Sequence, residues 1–570
     1  MIELETFFQP ETLVALLIVG PILLAAVPLV LAKAFDRSGW LVALVSCLLL
    51  FVASLRVGYE VYVTGRESQT SVVHEVGGYP APYGIELVAD EFSILMALLV
   101  TATALGVLAY TRVGGPRGST FYAGYLLLTG GLLGLTFTGD VFNMFVFLEI
   151  VGLATYALIA RGDSAESAVA ALKYLILGTL GASLYLLGVG LLFMATGHLN
   201  MGVLGGDLPD AEAQPLVRAS FAFVFVGFAI KVAQWPLHTW QPDAYQRAPD
   251  GVTPLIAALV STVSAYAMGR IFFTVYGPEF LQETPFVQEI VITVGAASVI
   301  AGSTLAVRQR DIKRMLAYSS VSQFGLIVAA YGIVTELALV GAVVHLFGHG
   351  LMKAGLFLAV GVVAVATGAR RLHEYAGLFG KRPVAASAIA VLGIALIGIP
   401  PSIGFIGKWY IAVGAVQASQ WAIAVVIFLS TMLTLAYVAR LLELMYFTPP
   451  EAIETAGPTG VAAKPARPVE ADGGRPIDED EGEQPVGGSD VEADDGSDAQ
   501  PVDGSDVEAD DGSDAQPDTE PVGGEVGPRV SVGMVAIVVT IAVLAVALGF
   551  AGEVFQELLN PFVEEVFADG

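Results

Sequence analysis

The sequence predicts an all-α polytopic membrane protein with about fourteen transmembrane helices. Three observations carry that reading. Hydrophobic residues make up 55% of the chain and charged residues 14%, with a mean hydropathy of +0.72. Apolar runs of about 20 residues, the length that crosses a bilayer core, recur from end to end. Two of these runs carry a lysine beside prolines, as interrupted membrane helices do.

The runs have rough cores at 11–33, 39–57, 90–111, 121–138, 139–160, 166–195, 216–238, 252–276, 286–306, 313–334, 336–366, 386–414, 420–446 and 531–551. The first lacks a basic leader and a small-residue cleavage site, so it is expected to stay as a span. Lys33 and Arg37, Arg112 and Arg117, Arg161, the cluster Arg308 to Arg314, Arg370-Arg371 and Lys381-Arg382 fall after alternate spans, and fourteen spans put them all on one face. The segments Glu279 to Glu289 and Gly58 to Glu86 fall on the other. The basic face is then cytoplasmic, with both termini outside a cell (plasma) membrane.

The net charge of −27 has one main source. Between Glu451 and Pro528 lie 23 Asp and Glu against Lys464, Arg467 and Arg475, which leaves the rest of the chain at −7. This segment holds a tandem repeat, VGGSDVEADDGSDAQP at 486–501 and VDGSDVEADDGSDAQP at 502–517. Such a composition cannot bury a core, so 448–529 is expected to be a disordered cytoplasmic linker; it either solvates the chain or gathers cations or partners. Acid of this density fits a halophile's high-salt cytoplasm. The expected organisation is helices 1–3 in 1–120, a core in 121–447, the linker, and a final span with a short tail in 530–570. No basic stripe with interleaved aromatics exists, which argues against nucleic acid as a partner. Cys47 is the single cysteine, so a zinc or iron–sulfur site held by this chain alone is excluded.

The ionisable residues inside spans are few: Glu149, Lys173, Lys231, His345, His349, Lys353 and Lys408. Each costs a few kcal/mol at mid-membrane if unpaired, which makes them candidates for proton translocation. Lys231 precedes Pro236 and Pro242, whereas Lys408 follows Pro400 and Pro401. That reversed order is what an inverted repeat produces. Burial disfavours a charged Glu149 and a nearby ammonium restores it, so a Glu–Lys pair can exchange protons; a static ion pair is the alternative. His345, His349 and Lys353 follow at i, i+4 steps and share one helix face. With no third ligand, a hydrated proton relay fits them better than a metal site, and no cofactor is expected. Lys173, near a helix end, either joins that chemistry or reaches for the interface.

Five stretches, TGDVFNMFVFLEI, IKVAQWPLHTWQPDAY, RDIKRMLAYSSVSQFG, HLFGHGLMKAGLFL and IPPSIGFIGKW, resemble the proton-conducting antiporter-like subunits shared by Mrp-type cation/proton antiporters, respiratory complex I and membrane-bound hydrogenases. The resemblance runs from GIELVADEFSILM near residue 84 to Lys408. The GDVFNMFVFLEI form is nearest the D subunits of Mrp Na⁺/H⁺ antiporters. It implies helices 4–8 and 9–13 as inverted repeats, helices 7 and 12 broken, and Glu149 with Lys231 as the regulating pair. It further implies His345, His349 and Lys353 as the central series, Lys408 at the exit, other membrane subunits as partners, and H⁺ with Na⁺ as the ions moved. The alternative it leaves is a proton-pumping subunit of a complex I-like oxidoreductase or a membrane-bound hydrogenase, whose electron chemistry this chain could not perform itself. One position departs from the pattern. Where many relatives carry lysine or histidine one turn before Tyr266 and Arg270, this chain has Thr262, which cannot hold a proton at physiological pH.

Overall fold

The computed structural model describes residues 9–32, 38–64, 71–162, 164–211, 215–450 and 530–568. The acidic linker with its tandem repeat, and Lys33 and Arg37, lie outside the described residues. Among the described residues twelve helices are long and apolar enough to span a membrane. They are α1 (Pro10–Leu31), α2 (Ser38–Val63), α3 (Glu91–Gly114), α4 (Ser119–Phe137), α5 (Val141–Ile159), α6 (Ala165–Thr196), α8 (Thr253–Glu283), α9 (Val287–Val307), α10 (Ile312–Ile333), α11 (Glu336–Thr367), α13 (Trp421–Tyr446) and α14 (Val532–Phe550). Two interrupted pairs complete the expected fourteen: α7a (Pro215–Lys231) with α7b (Trp240–Arg247), and α12a (Pro383–Ile397) with α12b (Ile403–Gln417).

The two tightest expected links are real. Thr138 and Gly139 separate α4 from the α5 cap, and Val334 turns α10 into α11 by adopting the left-handed region at φ 52. Among the elements that escaped the sequence reading are an 11-residue helix at Met201–Ala211, a hairpin and a tail helix. The segment after α2 pairs Val72–Glu75 (β1) with Glu86–Ala89 (β2) in an antiparallel hairpin. The tail after α14 is an amphipathic helix, α15 (Gly552–Ala568), whose Phe555, Leu559, Phe562 and Val563 are buried.

The repeat is visible in the backbone. Asp140 caps α5 through the Asn143 N–H at 2.7 Å, and Asp311 caps α10 through the Arg314 N–H at 2.9 Å. Gly197 ends α6 and Gly368 ends α11, both left-handed, at φ 78 and φ 76. Asp140 then bridges to Asn200, and Asp311 to Arg371. Every one of these positions is shifted by 171 residues, as are the helices themselves (141 to 312, 165–196 to 336–367). Five crossings separate the copies; an odd number inverts the second in the membrane.

The membrane-spanning stretch of α8 is buried and those of α3, α10 and α11 nearly so, while α1, α2, α6, α13 and α14 keep apolar side chains such as Leu49, Ile176, Phe428 and Val543 exposed. Exposed leucine and phenylalanine suit a hydrocarbon solvent, so the ring of outer helices is the lipid face. One cavity of 670 Å³ is lined by Gly115, Arg161, Arg247, Asp250, Lys313 and Arg370, so the links after α3, α5, α7, α9 and α11 share a face as the sequence pattern required. There burial disfavours the Asp250 carboxylate, but Lys313 at 3.3 Å and Arg370 at 2.6 Å hold its carboxyl below the usual range.

Close backbone approach packs α9 against α10 within the second repeat. A methyl group at Gly295 of α9 would lie 2.6 Å from the Gly325 carbonyl oxygen of α10. Gly295→Leu is therefore expected to destabilise the solubilised protein by about 1–3 kcal/mol in thermal denaturation. Gly190→Leu on α6, where nothing lies within 4 Å, should leave the melting temperature unchanged.

Candidate functional site

Breaking a membrane helix exposes carbonyl groups that must find donors. In helix 7 the last residue of α7a is Lys231, and the chain leaves the helix through Ala233 at φ 57. The Ile230 carbonyl accepts from the Trp240 indole N–H at 2.8 Å, and the Ala229 carbonyl from the Gln234 N–H at 2.8 Å. Pro236 lies in the break and Pro242 in the first turn of α7b. Across the break, the Trp235 N–H donates to Ser298 Oγ of α9 at 2.7 Å.

Lys231 is 5% exposed, and its Nζ lies 3.9 Å from Glu149 Oε1 on α5. That separation is an ion pair without a hydrogen bond, and Glu149 Oε1 has no other protein partner. Lys173 reaches the far side of the same break. Its Nζ donates to the Thr239 carbonyl at 2.7 Å and to Asp243 Oδ2 at 2.6 Å, while Arg314 of α10 donates to Asp243 Oδ1 at 2.8 Å. The head of Lys173 thus engages α7b rather than solvent alone.

On α11, His345, His349 and Lys353 are all fully buried. His345 Nε2 pairs with Gln323 Oε1 of α10 at 2.8 Å, and the His349 ring sits 4.6 Å from that of Phe324 with neither nitrogen bonded to protein. Lys353 Nζ donates to the Leu316 carbonyl at 2.7 Å and to the Ser319 hydroxyl. In helix 12 the chain turns at Gly398 and passes Pro400 and Pro401 before Ser402 caps α12b. Lys408 then folds back to donate to the Leu396 and Ile397 carbonyls at 3.2 and 2.9 Å. Gly398 leaves room for this fold-back, since a methyl there would lie 3.1 Å from Lys408 Cδ, and Gly407 lets α12b approach α11, where a methyl would lie 2.7 Å from His345 Cα.

The structure therefore brings Lys408 beside His345 and Lys231 beside Glu149. Between them stands α8, which has a π-helical stretch at Ile256–Val260, a distortion frequent at functional sites. Thr262 follows it, fully buried, with no protein partner for its Oγ1. The neighbouring Ser261 instead meets α7b: its Oγ lies 3.2 Å from Gln241 Nε2 and 3.0 Å from Tyr245 OH. Further along α8, buried Arg270 pairs with Asp90, the cap of α3, and donates to Tyr266 OH. Sequence reasoning passed over Gln241, Asp243, Gln323 and Asp90, and read Arg314 only as part of the basic cluster. All five lie within the stretches quoted above, but nothing local tells what a single polar residue will meet across the fold.

Residues 138–434 match the family described as NADH:quinone oxidoreductase/Mrp antiporter, transmembrane. The chain belongs to the NADH:quinone oxidoreductase/Mrp antiporter family. Within it, this chain is 43% identical over 380 residues to NADH-quinone oxidoreductase subunit N of Desulforudis audaxviator, covering 65% of this chain and 74% of that one. It is 32% identical to the D subunit of the Na(+)/H(+) antiporter of Bacillus subtilis, over 64% of this chain and 74% of the relative. Among solved structures, the Mrp complex from a Dietzia species aligns with a TM-score of 0.78 at 23% identity, over 98% of this chain and 97% of that one. A chain of the archaeal membrane-bound sulfane sulfur reductase aligns with a TM-score of 0.77 at 24% identity, over 97% of each. These two likenesses establish the family fold, and the family match supports an antiporter-like transport subunit.

The Trp240 indole is the shorter of two donors to the Ile230 carbonyl at the end of α7a, the other being the Ala233 N–H at 3.1 Å, while its ring stacks on Tyr174 at 4.3 Å. Trp240→Phe keeps the stacking and removes one buried hydrogen bond. It is expected to cost about 0.5–1.5 kcal/mol, read as a lower thermal midpoint of the solubilised protein.

Proposed function

We propose that this chain is a proton-translocating subunit of a multisubunit monovalent cation/proton antiporter of the cell membrane, with Na⁺ expelled as protons enter. The observation that carries this reading is the Lys231–Glu149 contact at a helix break, an ion pair with no hydrogen bond to lock it. Such a pair is sensitive to the charge state of its surroundings. When Lys231 is protonated, Glu149 holds it; when the proton leaves, the carboxylate loses its partner and its field acts on neighbouring sites. The α11 row carries protons along the helix axis, through the buried centre of the chain. Successive side chains there are separated by about 6 Å of helix rise, too far for direct transfer and suited to single intervening waters. His345 Nδ1, both His349 nitrogens and Gln323 Nε2 are buried without protein partners, and polar atoms so placed require water. Lys408 ends the row. Lys173 sets the geometry of α7b through Asp243. The basic face is cytoplasmic in this reading, with both termini outside and the acidic linker inside.

Glu149→Ala and Lys231→Ala are each expected to abolish antiport in inverted vesicles while the chain still assembles. Activity near wild type in either, with normal assembly, overturns the reading. Thr262→Lys restores a proton-holding group on α8 and is expected to raise proton flux; unchanged flux would show that Thr262 does not limit it.

A second reading is supported by the 43% identity to a quinone oxidoreductase subunit, higher than that to the Na(+)/H(+) antiporter relatives. In it the same pair and row work as the pumping module of a redox complex. Affinity purification separates the two: small antiporter subunits accompany the chain in the first, iron–sulfur subunits in the second.

A further inference from the structure

A groove of 740 Å³ opens on the lipid side between α2, α3 and α14. Its floor is the small-residue stripe Ala102, Gly106 and Ala109 of α3, and its walls are Trp40, Leu44 and Phe51 of α2 and Ile537 of α14. All three helices contribute only the half nearest the basic face. The lining runs from residue 40 to 51 on α2 and from 102 to 113 on α3, and on α14 it stops at 537. Eleven residues of helix rise about 16 Å, roughly one leaflet of a 30 Å hydrocarbon core. A partner helix would need a groove that continues through both leaflets.

The interfacial end is built for an anion. Arg112 lies there, exposed, with its guanidinium 4.9 Å from the centre of the Trp40 ring. Trp40 is itself fixed by donating its indole N–H to the Leu108 carbonyl at 3.0 Å. Among the described residues no carboxylate pairs with Arg112, so its planar donors are free to face an oxyanion. Arg117 sits at the same end, with its guanidinium on the Val113 carbonyl at 2.6 Å. An aromatic ring at headgroup level, a free arginine, and an apolar slot one leaflet deep match a single ligand chemistry.

We propose that this groove binds one anionic phospholipid, with its phosphate on Arg112 and an acyl chain lying in the apolar slot beside Ala109 and Ala102, where Ile537 packs over Gly106 between them. The bound lipid wedges the peripheral α2 and α14 against α3, the helix whose Asp90 cap holds Arg270.

The test uses the full-length chain with its co-purifying subunits, analysed by native mass spectrometry after addition of dioleoyl phosphatidylglycerol or dioleoyl phosphatidylcholine. Wild type is expected to retain the phosphatidylglycerol in preference. Arg112→Gln should lower that retention roughly fivefold, the effect of one interfacial arginine, and erase the preference. Ala109→Trp should exclude both lipids. Arg112→Gln alters an exposed side chain and keeps the test alive if Ala109→Trp fails to fold. Equal retention of the two lipids by wild type, or no effect of Arg112→Gln, overturns the proposal. So does a photo-crosslinker at Leu44 that captures protein rather than lipid.

Discussion

The constraint on which the rest depends is that neither a carbonyl nor an ammonium group can stand unsatisfied at membrane depth. Each helix break solves both problems together. Lys231 closes α7a as its last residue, at the end where the helix dipole favours a cation. Lys408 places its ammonium against the last carbonyls of α12a. That second arrangement tolerates proton loss, because a neutral amine still carries two N–H donors for the two carbonyls it serves. The break need not open when the lysine discharges, which is a requirement for a group that cycles between protonation states inside a rigid frame.

The two repeats share a backbone but carry different ionisable residues. The 171-residue shift maps His345, His349 and Lys353 of α11 onto Tyr174, Gly178 and Ala182 of α6. Tyr174 stacks on Trp240, and Gly178 leaves space occupied by the Tyr156 side chain. Nothing on that face of α6 can hold a proton near neutral pH. Conversely Glu149 maps onto Ser320, a neutral residue two positions from Ser322. One copy therefore keeps a carboxylate–ammonium pair, and the other keeps a row of amine and imidazole groups. The aspartate caps and the closing glycines are retained in both because they fix the helices, while the ionisable residues differ between the copies.

Much of this was legible in the sequence, and for physical reasons. A lysine in an apolar run is costly anywhere, so Lys231, Lys353 and Lys408 declared themselves without knowledge of their neighbours. Proline placement marked both breaks, and basic residues at alternate links matched the shared face of Arg161, Lys313 and Arg370. What stayed hidden was pairwise. Asp90 and Arg270 meet across 180 residues, and neither has a local pattern that names the other. Gln323 reads as an ordinary polar residue until α10 packs on α11. The β1–β2 hairpin is two short runs in a polar stretch, with too little alternation to stand out from a loop. The tail helix α15 was missed because its apolar face is spaced for packing on the protein and falls short of a spanning run.

The position of Thr262 gives the junction between the copies a definite character. The resemblance leads one to expect a lysine or histidine there, whereas the polar contact from α8 to α7b is made one residue earlier, by Ser261 with Gln241 and Tyr245. Hydroxyl groups both donate and accept, so these side chains can pass a proton in concert with water; none of them stores one near neutral pH. Under the transport reading, a proton crosses between the Lys231 region and the α11 row without resting on α8. An intermediate with charge parked at the centre is then absent from the cycle. Communication between the halves rests on the field of the Glu149–Lys231 pair and on the order of the hydrogen bonds around the π-helical stretch.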